Sequence, residues 1–146
     1  MTTKGARVLE YNVRFGDPET QSVLQLLKTD LAELMYACTD SSLAKLHVEV
    51  DSGFAATVVV AAGGYPGSYA KGTEMSLSQT PQHVVLFHAG TALVDGKLKT
   101  SGGRVIASTA TGTTLADAVN AAYEGVKAIK FEGMQYRKDI AARALR

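Results

Sequence analysis

The sequence has few of the features that mark secreted, membrane or nucleic-acid-binding proteins. One cysteine in 146 residues excludes an internal disulfide framework and suits a reducing compartment. The 15 basic and 14 acidic residues give a net charge of +1 and form no basic run, which argues against a nucleic-acid or anionic-membrane partner. The longest apolar run, Val58 to Ala62, is too short to span a bilayer.

Targeting and nucleotide-binding signals are equally scarce. Met1 to Gly5 contains no apolar stretch of the kind that a secretory signal needs, so we expect a cytoplasmic location. A phosphate-binding glycine loop of the P-loop type is missing from the sequence. Cys38 follows Leu34 and Met35 in a helical pattern and is expected to be a small core residue rather than a nucleophile. Hydrophobic residues make up 46% of the chain, which is enough for one domain with a small appendage.

A strand with two different faces is predicted near the start, from Val8 to Phe15. Alternate side chains of a strand leave from opposite faces, so one face of this strand is apolar and the other polar. The apolar face, which can pack, consists of Leu9, Tyr11, Val13 and Phe15. The polar face consists of Glu10, Asn12 and Arg14.

The polar face of this strand has the groups that a magnesium–triphosphate centre requires. Magnesium prefers hard oxygen ligands, one or two of them from protein and the rest from phosphates and water. Glu10 offers a charged oxygen and Asn12 a neutral one. Arg14 can neutralise a phosphate or hold a carboxylate. The alternative interpretation is an edge strand whose polar face is simply solvated.

Two helices are predicted to follow the strand. Asp17 is a suitable N-cap and Pro18 a suitable first residue for a helix that continues to about Leu27. A capping box at Asp30 opens the second helix. That helix is expected to bury Leu31, Leu34, Met35 and Cys38.

The pattern changes to β beyond Leu46. Strands are predicted at His47–Val50, Ala55–Ala62, Val84–Phe87 and Arg104–Thr109, with a hairpin turn at Asp95-Gly96. A long helix capped at Thr114 carries an apolar stripe that continues to Ile129. A short helix is expected over Ile140 to Leu145. Because most strands follow one another directly, the pattern indicates an α+β fold with a mostly antiparallel sheet and the helices packed on one side.

Several loops are candidates for ligand binding. The glycine-rich stretch from Gly63 to Gly72 lets backbone N–H groups approach an anion, and Lys71 adds a positive charge. His88 and Thr91 in one loop can converge with Ser101 and Arg104 from the next on a single ligand. The alternative is that His88 bonds a backbone carbonyl and fixes the hairpin. The adjacent Arg137 and Lys138 can clamp a phosphate, or they are solvated surface charges.

Five motifs, in the same order, resemble the end of the ATP-grasp domain and the following domain in the phosphoribosylamine–glycine ligase family. The first is the run from Leu9 to Glu19 (Leu-Glu-Tyr-Asn-Val-Arg-Phe-Gly-Asp-Pro-Glu), which is nearly identical to the run in that family. The others are Gly63–Gly72, Phe87–Thr91, Thr100–Val105 and Tyr136–Ile140.

The resemblance implies a fold, a reaction and a set of roles. Residues 1–45 would be the last strand and helices of an ATP-grasp domain, and residues 46–146 the small C-terminal domain. The reaction would join glycine to 5-phosphoribosylamine at the expense of ATP, in de novo purine synthesis. Glu10 and Asn12 would bind Mg²⁺ (or Mn²⁺), Arg14 and Asp17 would be catalytic, and Asp17 or Glu19 would hold an amine. Substrate would be contacted by Glu19, Lys71, His88, Thr91 and Arg104.

The resemblance covers only the C-terminal part of that enzyme. The amino-terminal domain and the ATP-grasp lysines have no counterpart in these 146 residues, so we expect the chain alone not to catalyse ligation. One alternative is another ATP-grasp ligase of purine synthesis, although Gly64-Tyr65-Pro66 and Tyr136–Asp139 argue against it. A second is a non-catalytic module that binds a ligand or a partner. An apolar surface left by orphaned ATP-grasp elements would favour that module, and could make the chain a homodimer.

Overall fold

The computed structural model describes Thr3 and residues 5–146, so most of the polar lead-in (residues 1, 2 and 4) lies outside the described residues. The helices are α1 (Glu19–Leu26), α2 (Leu31–Thr39) and α3 (Leu115–Lys127), with a short 3-10 helix at Leu43–Lys45. The strands are β1 (Phe54–Ala62), β2 (Met75–Leu77), β3 (Val84–His88), β4 (Thr91–Val94), β5 (Lys97–Thr100), β6 (Arg104–Gly112), β7 (Ile129–Phe131) and β8 (Met134–Tyr136). Within this described part of the chain, no helix is long and apolar enough to cross a membrane.

The centre of the fold is a four-stranded antiparallel sheet in the order β3-β6-β1-β8. The two nine-residue strands β1 and β6 pair along almost their whole length. Two smaller antiparallel pairs, β2 with β7 and β4 with β5, lie beside it. The predicted α+β fold with a mostly antiparallel sheet is therefore confirmed.

Helix α3 covers one face of this sheet. Its buried residues meet the even-numbered side chains of β1, of which Val58 and Val60 are fully buried. The Ser108 hydroxyl of β6 donates to the carbonyl oxygen of Ala122 in α3, at 2.8 Å. The apolar stripe predicted for this helix is thus the one that makes the core.

Helix α1 packs on the opposite face. The hydroxyl oxygens of Ser22 in α1 and Thr57 in β1 are 2.6 Å apart, and Thr57 is 2.9 Å from the Thr109 hydroxyl of β6. Thr109 is fully buried, so its hydroxyl needs this partner. Because α1 lies on the strands of the sheet, Glu19–Leu26 is attached to the rest of the chain by direct packing.

The structure confirms two local predictions, a helix cap and a hairpin turn. The carboxylate of Asp30 accepts hydrogen bonds from the backbone N–H groups of Ala32 and Glu33, as the predicted cap requires. The Asp95-Gly96 turn has positive φ at both residues, +52° and +75°, the geometry expected of a type I′ turn.

The predicted strand from Val8 to Phe15 is wrong. The segment has no regular structure, and its supposed packing face is exposed, with Leu9 98% and Val13 93% accessible. A strand requires a neighbour to satisfy its backbone groups, and no strand of the described residues pairs with this segment. The predicted strand at His47–Val50 is reduced to an isolated bridge between Leu27 and Val50, although the Lys28 N–H donates to the Glu49 carbonyl and the Asp51 N–H to the Leu26 carbonyl.

The predicted burial in α2 is also wrong. Cys38 is exposed, Met35 is 61% accessible, and Ala37 is the buried residue of this helix. Leu31 and Leu34 are half-buried, and the 3-10 helix at Leu43–Lys45 contacts α2, so part of the predicted apolar side is covered.

The end of the chain differs from prediction in two places. Helix α3 stops at Lys127, and Ile129 begins β7 rather than extending the helix. The turn at Glu132-Gly133, with Gly133 at φ +71°, then leads into β8. The predicted helix from Ile140 to Leu145 is a series of turns, interrupted by a positive φ at Ala141.

Gly125 tests the packing of α3 on the sheet. A methyl group at this position would overlap Ser108 Oγ and Val84 Cγ1. Alanine favours helices over glycine by about 1 kcal/mol, but overpacking a core costs about 1–3 kcal/mol. We therefore expect Gly125→Ala to lower the free energy of unfolding, measured by urea denaturation. The exposed Asn120→Ala is the control and should raise the free energy of unfolding slightly. A Gly125→Ala variant that is more stable than the wild type would contradict the tight contact.

Asp117 predicts how stability depends on pH. Hydrogen bonds from the hydroxyls of Thr114 and Thr113 lower the pKa of this carboxyl. Because the pKa is lower in the folded state, the stabilisation is complete above the ordinary aspartate pKa and is lost as pH falls through the folded value. The stability gap between wild type and Asp117→Asn should therefore narrow in acid, measured by denaturation at several pH values. The exposed Glu132→Gln is the charge control, and a gap that stays constant with pH would contradict this assignment.

Candidate active site

The segment before α1 supplies most of the candidate site. The backbone N–H of Thr20 donates to the carbonyl of Gly16, at 2.9 Å, and closes the turn that leads into the helix. Asp17 was predicted to cap α1, but Pro18 holds the N-cap position and no side chain caps the helix. The Asp17 carboxylate instead accepts a hydrogen bond from Arg104, with Nη2 and Oδ2 2.8 Å apart.

A β-bulge brings Arg104 to this segment. In β6, Ile106 pairs with Val60 of β1, but the next pair is Ala61 with Arg104, so Val105 is skipped. Strict alternation would have placed Arg104 and Ile106 on the same face, the face covered by α3. The extra residue turns Arg104 toward the α1 side instead, as bulges commonly re-aim side chains.

Arg104 and the segment from Asn12 to Glu19 together line an open cleft of about 620 Å³, which we call the Asp17 cleft. The residues that line it are Asn12, Arg14, Phe15, Gly16, Asp17, Glu19 and Arg104. Five of the nine residues predicted to act in the site therefore meet here: Asn12, Arg14, Asp17, Glu19 and Arg104. Two cations and two carboxylates share the cleft, which suits a ligand that carries both charges.

The two predicted metal ligands are adjacent. The Asn12 amide Nδ2 donates to the Glu10 carboxylate Oε1, at 3.3 Å, and both side chains are exposed. Rotating the Asn12 amide would bring a second hard oxygen beside the carboxylate. Among residues 3 and 5–146 there is no cluster of three or more His, Cys, Asp or Glu side chains placed to hold a metal. The donor set thus fits Mg²⁺ that shares its coordination with phosphate and water.

Three predicted substrate-binding residues do not line the Asp17 cleft. The ring Nδ1 of His88 and the hydroxyl of Thr91 are 2.9 Å apart, so each is the other's partner across the turn between β3 and β4. The alternative prediction for His88 was a hydrogen bond to a backbone carbonyl. In the structure the partner of Nδ1 is the Thr91 side chain. Lys71 Nζ is 5.9 Å from the centre of the Tyr69 ring, within reach of a cation–π contact. A substrate role for these three residues stays a prediction.

A second cleft, of about 560 Å³, adjoins the first at Arg104. We call it the Arg104–Arg137 cleft, because these two arginines are its charged lining residues. Its floor is the α1 side of β1, and its rim includes Tyr65, Gln135 and Tyr136. Sequence reasoning missed this cleft because β8, which carries two of the rim residues, was not predicted. The Glu132-Gly133 turn between two short apolar runs was the available signal.

The C-terminal wall of this cleft is held by a polar network. The guanidinium of Arg137 donates to both Asp139 oxygens, Nε to Oδ1 at 2.9 Å and Nη2 to Oδ2 at 2.7 Å. This pairing lowers the pKa of Asp139 and raises the pKa of Arg137. The Tyr123 hydroxyl donates to the Arg137 carbonyl at 2.9 Å and accepts from the Ile140 N–H at 3.1 Å. Tyr123 thus holds the backbone at Arg137, whereas the Arg137 side chain is exposed and paired with Asp139.

Comparison with known proteins places this geometry in a family. The chain is 53% identical over 142 residues to a phosphoribosylamine–glycine ligase from Synechocystis, and 51% identical over 146 residues to a bifunctional purine biosynthetic protein from Schizosaccharomyces pombe. These matches cover 95% and 99% of this chain but only 34% and 18% of the relatives, so the chain spans about a third of the ligase's length.

A solved structure and a family model agree with these relatives. The crystal structure of a phosphoribosylamine–glycine ligase from Thermotoga maritima superposes with a TM-score of 0.72 at 42% identity, over 92% of this chain and 33% of that one. The model of the phosphoribosylglycinamide synthetase C domain matches residues 55–143. That match extends from β1 to the turns after β8, well over half of the chain, and the chain therefore belongs to the phosphoribosylglycinamide synthetase C-domain family.

Proposed function

We propose that this chain forms the C-terminal part of an ATP-dependent ligase that joins glycine to 5-phosphoribosylamine. The observation that carries the proposal is the Asp17 cleft, where residues of the first part of the chain meet Arg104 of β6. The names of the relatives support this reaction over that of another purine-pathway ligase. Such an enzyme would act in the cytoplasm, in agreement with the single free cysteine.

The residues of the Asp17 cleft and the neighbouring Glu10 have distinct proposed roles. Glu10 and Asn12 would hold Mg²⁺, which supplies neutralisation of the triphosphate charge. Arg14 would bind the transferring phosphoryl group or the glycine carboxylate with its planar fork of donors. Asp17 already accepts from Arg104, so we assign Glu19 to the substrate amine and Asp17 to positioning Arg104.

The exposed apolar side chains explain why the chain alone would be inactive. An acyl phosphate reacts with water, so ligation requires a closed site, whereas the Asp17 cleft is open. Beside the cleft, large apolar side chains of the first 50 residues are exposed, including Leu9 at 98% and Val13 at 93%. We propose that the rest of the ligase covers them, and with them the site.

A chimera can test this proposal directly. We expect the purified chain to form no glycinamide ribonucleotide from ATP, glycine and phosphoribosylamine. The same residues, replacing the corresponding third of the Synechocystis ligase, should restore product formation and ADP release. Turnover by the chain alone would contradict the need for further domains. A folded but inactive chimera would contradict the proposed reaction.

The metal assignment makes a separate prediction in the active chimera. Glu10→Gln and Asn12→Ala should each lower kcat by about hundredfold or more, since even residues that only support metal ligands affect affinity or activity 10–100-fold. They should also raise the Mg²⁺ concentration required for half-maximal rate. The exposed Glu33→Gln in α2 removes the same charge elsewhere and should have no effect. An unchanged Mg²⁺ requirement in both site variants would exclude these residues as ligands.

A second candidate function rests on the same exposed apolar surface. Tyr11, Tyr36 and Val50 are between 59% and 81% accessible, and exposed apolar side chains that form one patch mark interaction sites. A non-catalytic module could use this surface to bind a partner or a second copy of the chain. Sedimentation over a range of concentrations tests the dimer, which should appear as the concentration rises; a monomer at every concentration would exclude it.

A further inference from the structure

Two carboxylates line the Asp17 cleft, but only one of them is paired. Asp17 accepts a hydrogen bond from Arg104, whereas within residues 3 and 5–146 no group forms a hydrogen bond or an ion pair with the Glu19 carboxylate. Glu19 is the first residue of α1, and its side chain is exposed. Because no bond to another residue fixes this carboxylate, the space around it determines where it lies.

Gly16 leaves open the space that the Glu19 carboxylate occupies. A methyl group on the α-carbon of Gly16 would overlap Glu19 Oε2, and it would lie 2.8 Å from the carboxyl carbon and 3.2 Å from Glu19 Cβ. These three atoms are the nearest ones that such a methyl group would meet. The side chain of Glu19 thus folds back over the residue that lies three positions before it.

The backbone gives no other reason for a glycine at position 16. Gly16 does not have the positive φ that favours glycine over other residues. Its carbonyl oxygen accepts hydrogen bonds from the backbone N–H and from the hydroxyl of Thr20, and an alanine would keep both. An alanine at this position would therefore disturb chiefly the side chain of Glu19.

We infer that Gly16 is a positioning residue for Glu19, because the missing side chain lets the Glu19 carboxylate fold back into the Asp17 cleft in the place where it meets the substrate amine. This inference rests on the proposed function, which assigns Glu19 to that amine, and deepens it. A carboxylate that already lies near its bound position loses less side-chain freedom on binding than one that has to be brought there. A side chain at position 16 removes this advantage.

The chemistry of the reaction decides which substrate reports on Glu19. The nitrogen of phosphoribosylamine attacks the acyl phosphate, so it needs a free electron pair and cannot react as an ammonium. The nitrogen of glycine does not react, and an α-amino group is mostly protonated at neutral pH. A carboxylate without a partner suits that ammonium group, and the effect of Gly16 should appear in the KM for glycine.

The active chimera tests the inference by comparing two Michaelis constants. Gly16→Ala should raise KM for glycine by about tenfold or more, since it displaces an acceptor of charge-assisted hydrogen bonds, and should leave KM for ATP unchanged. The Tm of the variant should stay the same or rise, because alanine restricts the unfolded chain more than glycine does. A wild-type KM for glycine, or equal increases in both constants, would overturn the inference.

Glu19→Ala supplies the matched control. Its KM for glycine should rise at least as much as that of Gly16→Ala. In the Glu19→Ala background the carboxylate that the methyl group would overlap is gone, so adding Gly16→Ala should change KM for glycine by less than about twofold. Additive losses in the double variant would mean that Gly16 acts through another group and would overturn the positioning role.

Crystal structures of this chain and of its Gly16→Ala variant separate failure of the inference from failure of the proposed function. The Glu19 carboxylate should move by about 1 Å or more to reach an ordinary contact distance from the new methyl group. An unmoved carboxylate would overturn the inference, whatever the chimera does. If the carboxylate moves but the wild-type chimera is inactive, the positioning by Gly16 survives and the proposed reaction fails.

Discussion

The pairing of β1 with β6 determines the position of Arg104, which lines both clefts. The two strands carry a helix on each face, α3 on one and α1 on the other. Their register is regular except at Val105, where the bulge moves Arg104 from one face to the other. Without that single extra residue, Arg104 would point toward the core beneath α3, where an unpaired guanidinium is costly.

The ion pair between Asp17 and Arg104 orients groups more than it stabilises the fold. The two side chains are 63% and 41% accessible, and an exposed pair of this kind contributes about 0–1 kcal/mol. Helix α1 is instead fixed by packing and by the buried hydroxyl chain from Ser22 through Thr57 to Thr109. The pair can therefore exchange partners during a reaction without releasing the helix.

Features that depend on interactions between residues close in sequence were predicted correctly. Features that depend on residues far apart in sequence were not. The Asp30 cap, the Asp95-Gly96 turn and the α3 stripe depend on residues a few positions apart, and the structure confirms them. The segment at Val8–Phe15 has the alternation of a strand but no neighbour to pair with. Strand β8 lacks a strong pattern and forms because β1 offers an edge more than 70 residues earlier in the chain.

The same distinction applies to the two clefts. Most residues of the Asp17 cleft are close in sequence, so one motif could indicate them, and Arg104 was already a candidate because it follows a glycine-containing loop. The Arg104–Arg137 cleft combines β1, the loop at Tyr65 and the end of β8. Its residues share no motif, and only the folded sheet brings them together.

The two clefts also differ in how far their geometry depends on contacts from outside the chain. The Arg104–Arg137 cleft has a floor of paired strands and a wall held by Tyr123 and Asp139, so its shape depends on contacts that this chain makes. Glu10 and Asn12 lie on a segment whose apolar side chains have no cover, and their geometry must be set by whatever packs there. The shape of the Arg104–Arg137 cleft is therefore expected to persist in the chain alone, whereas the proposed metal site depends on burial of the apolar surface beside it.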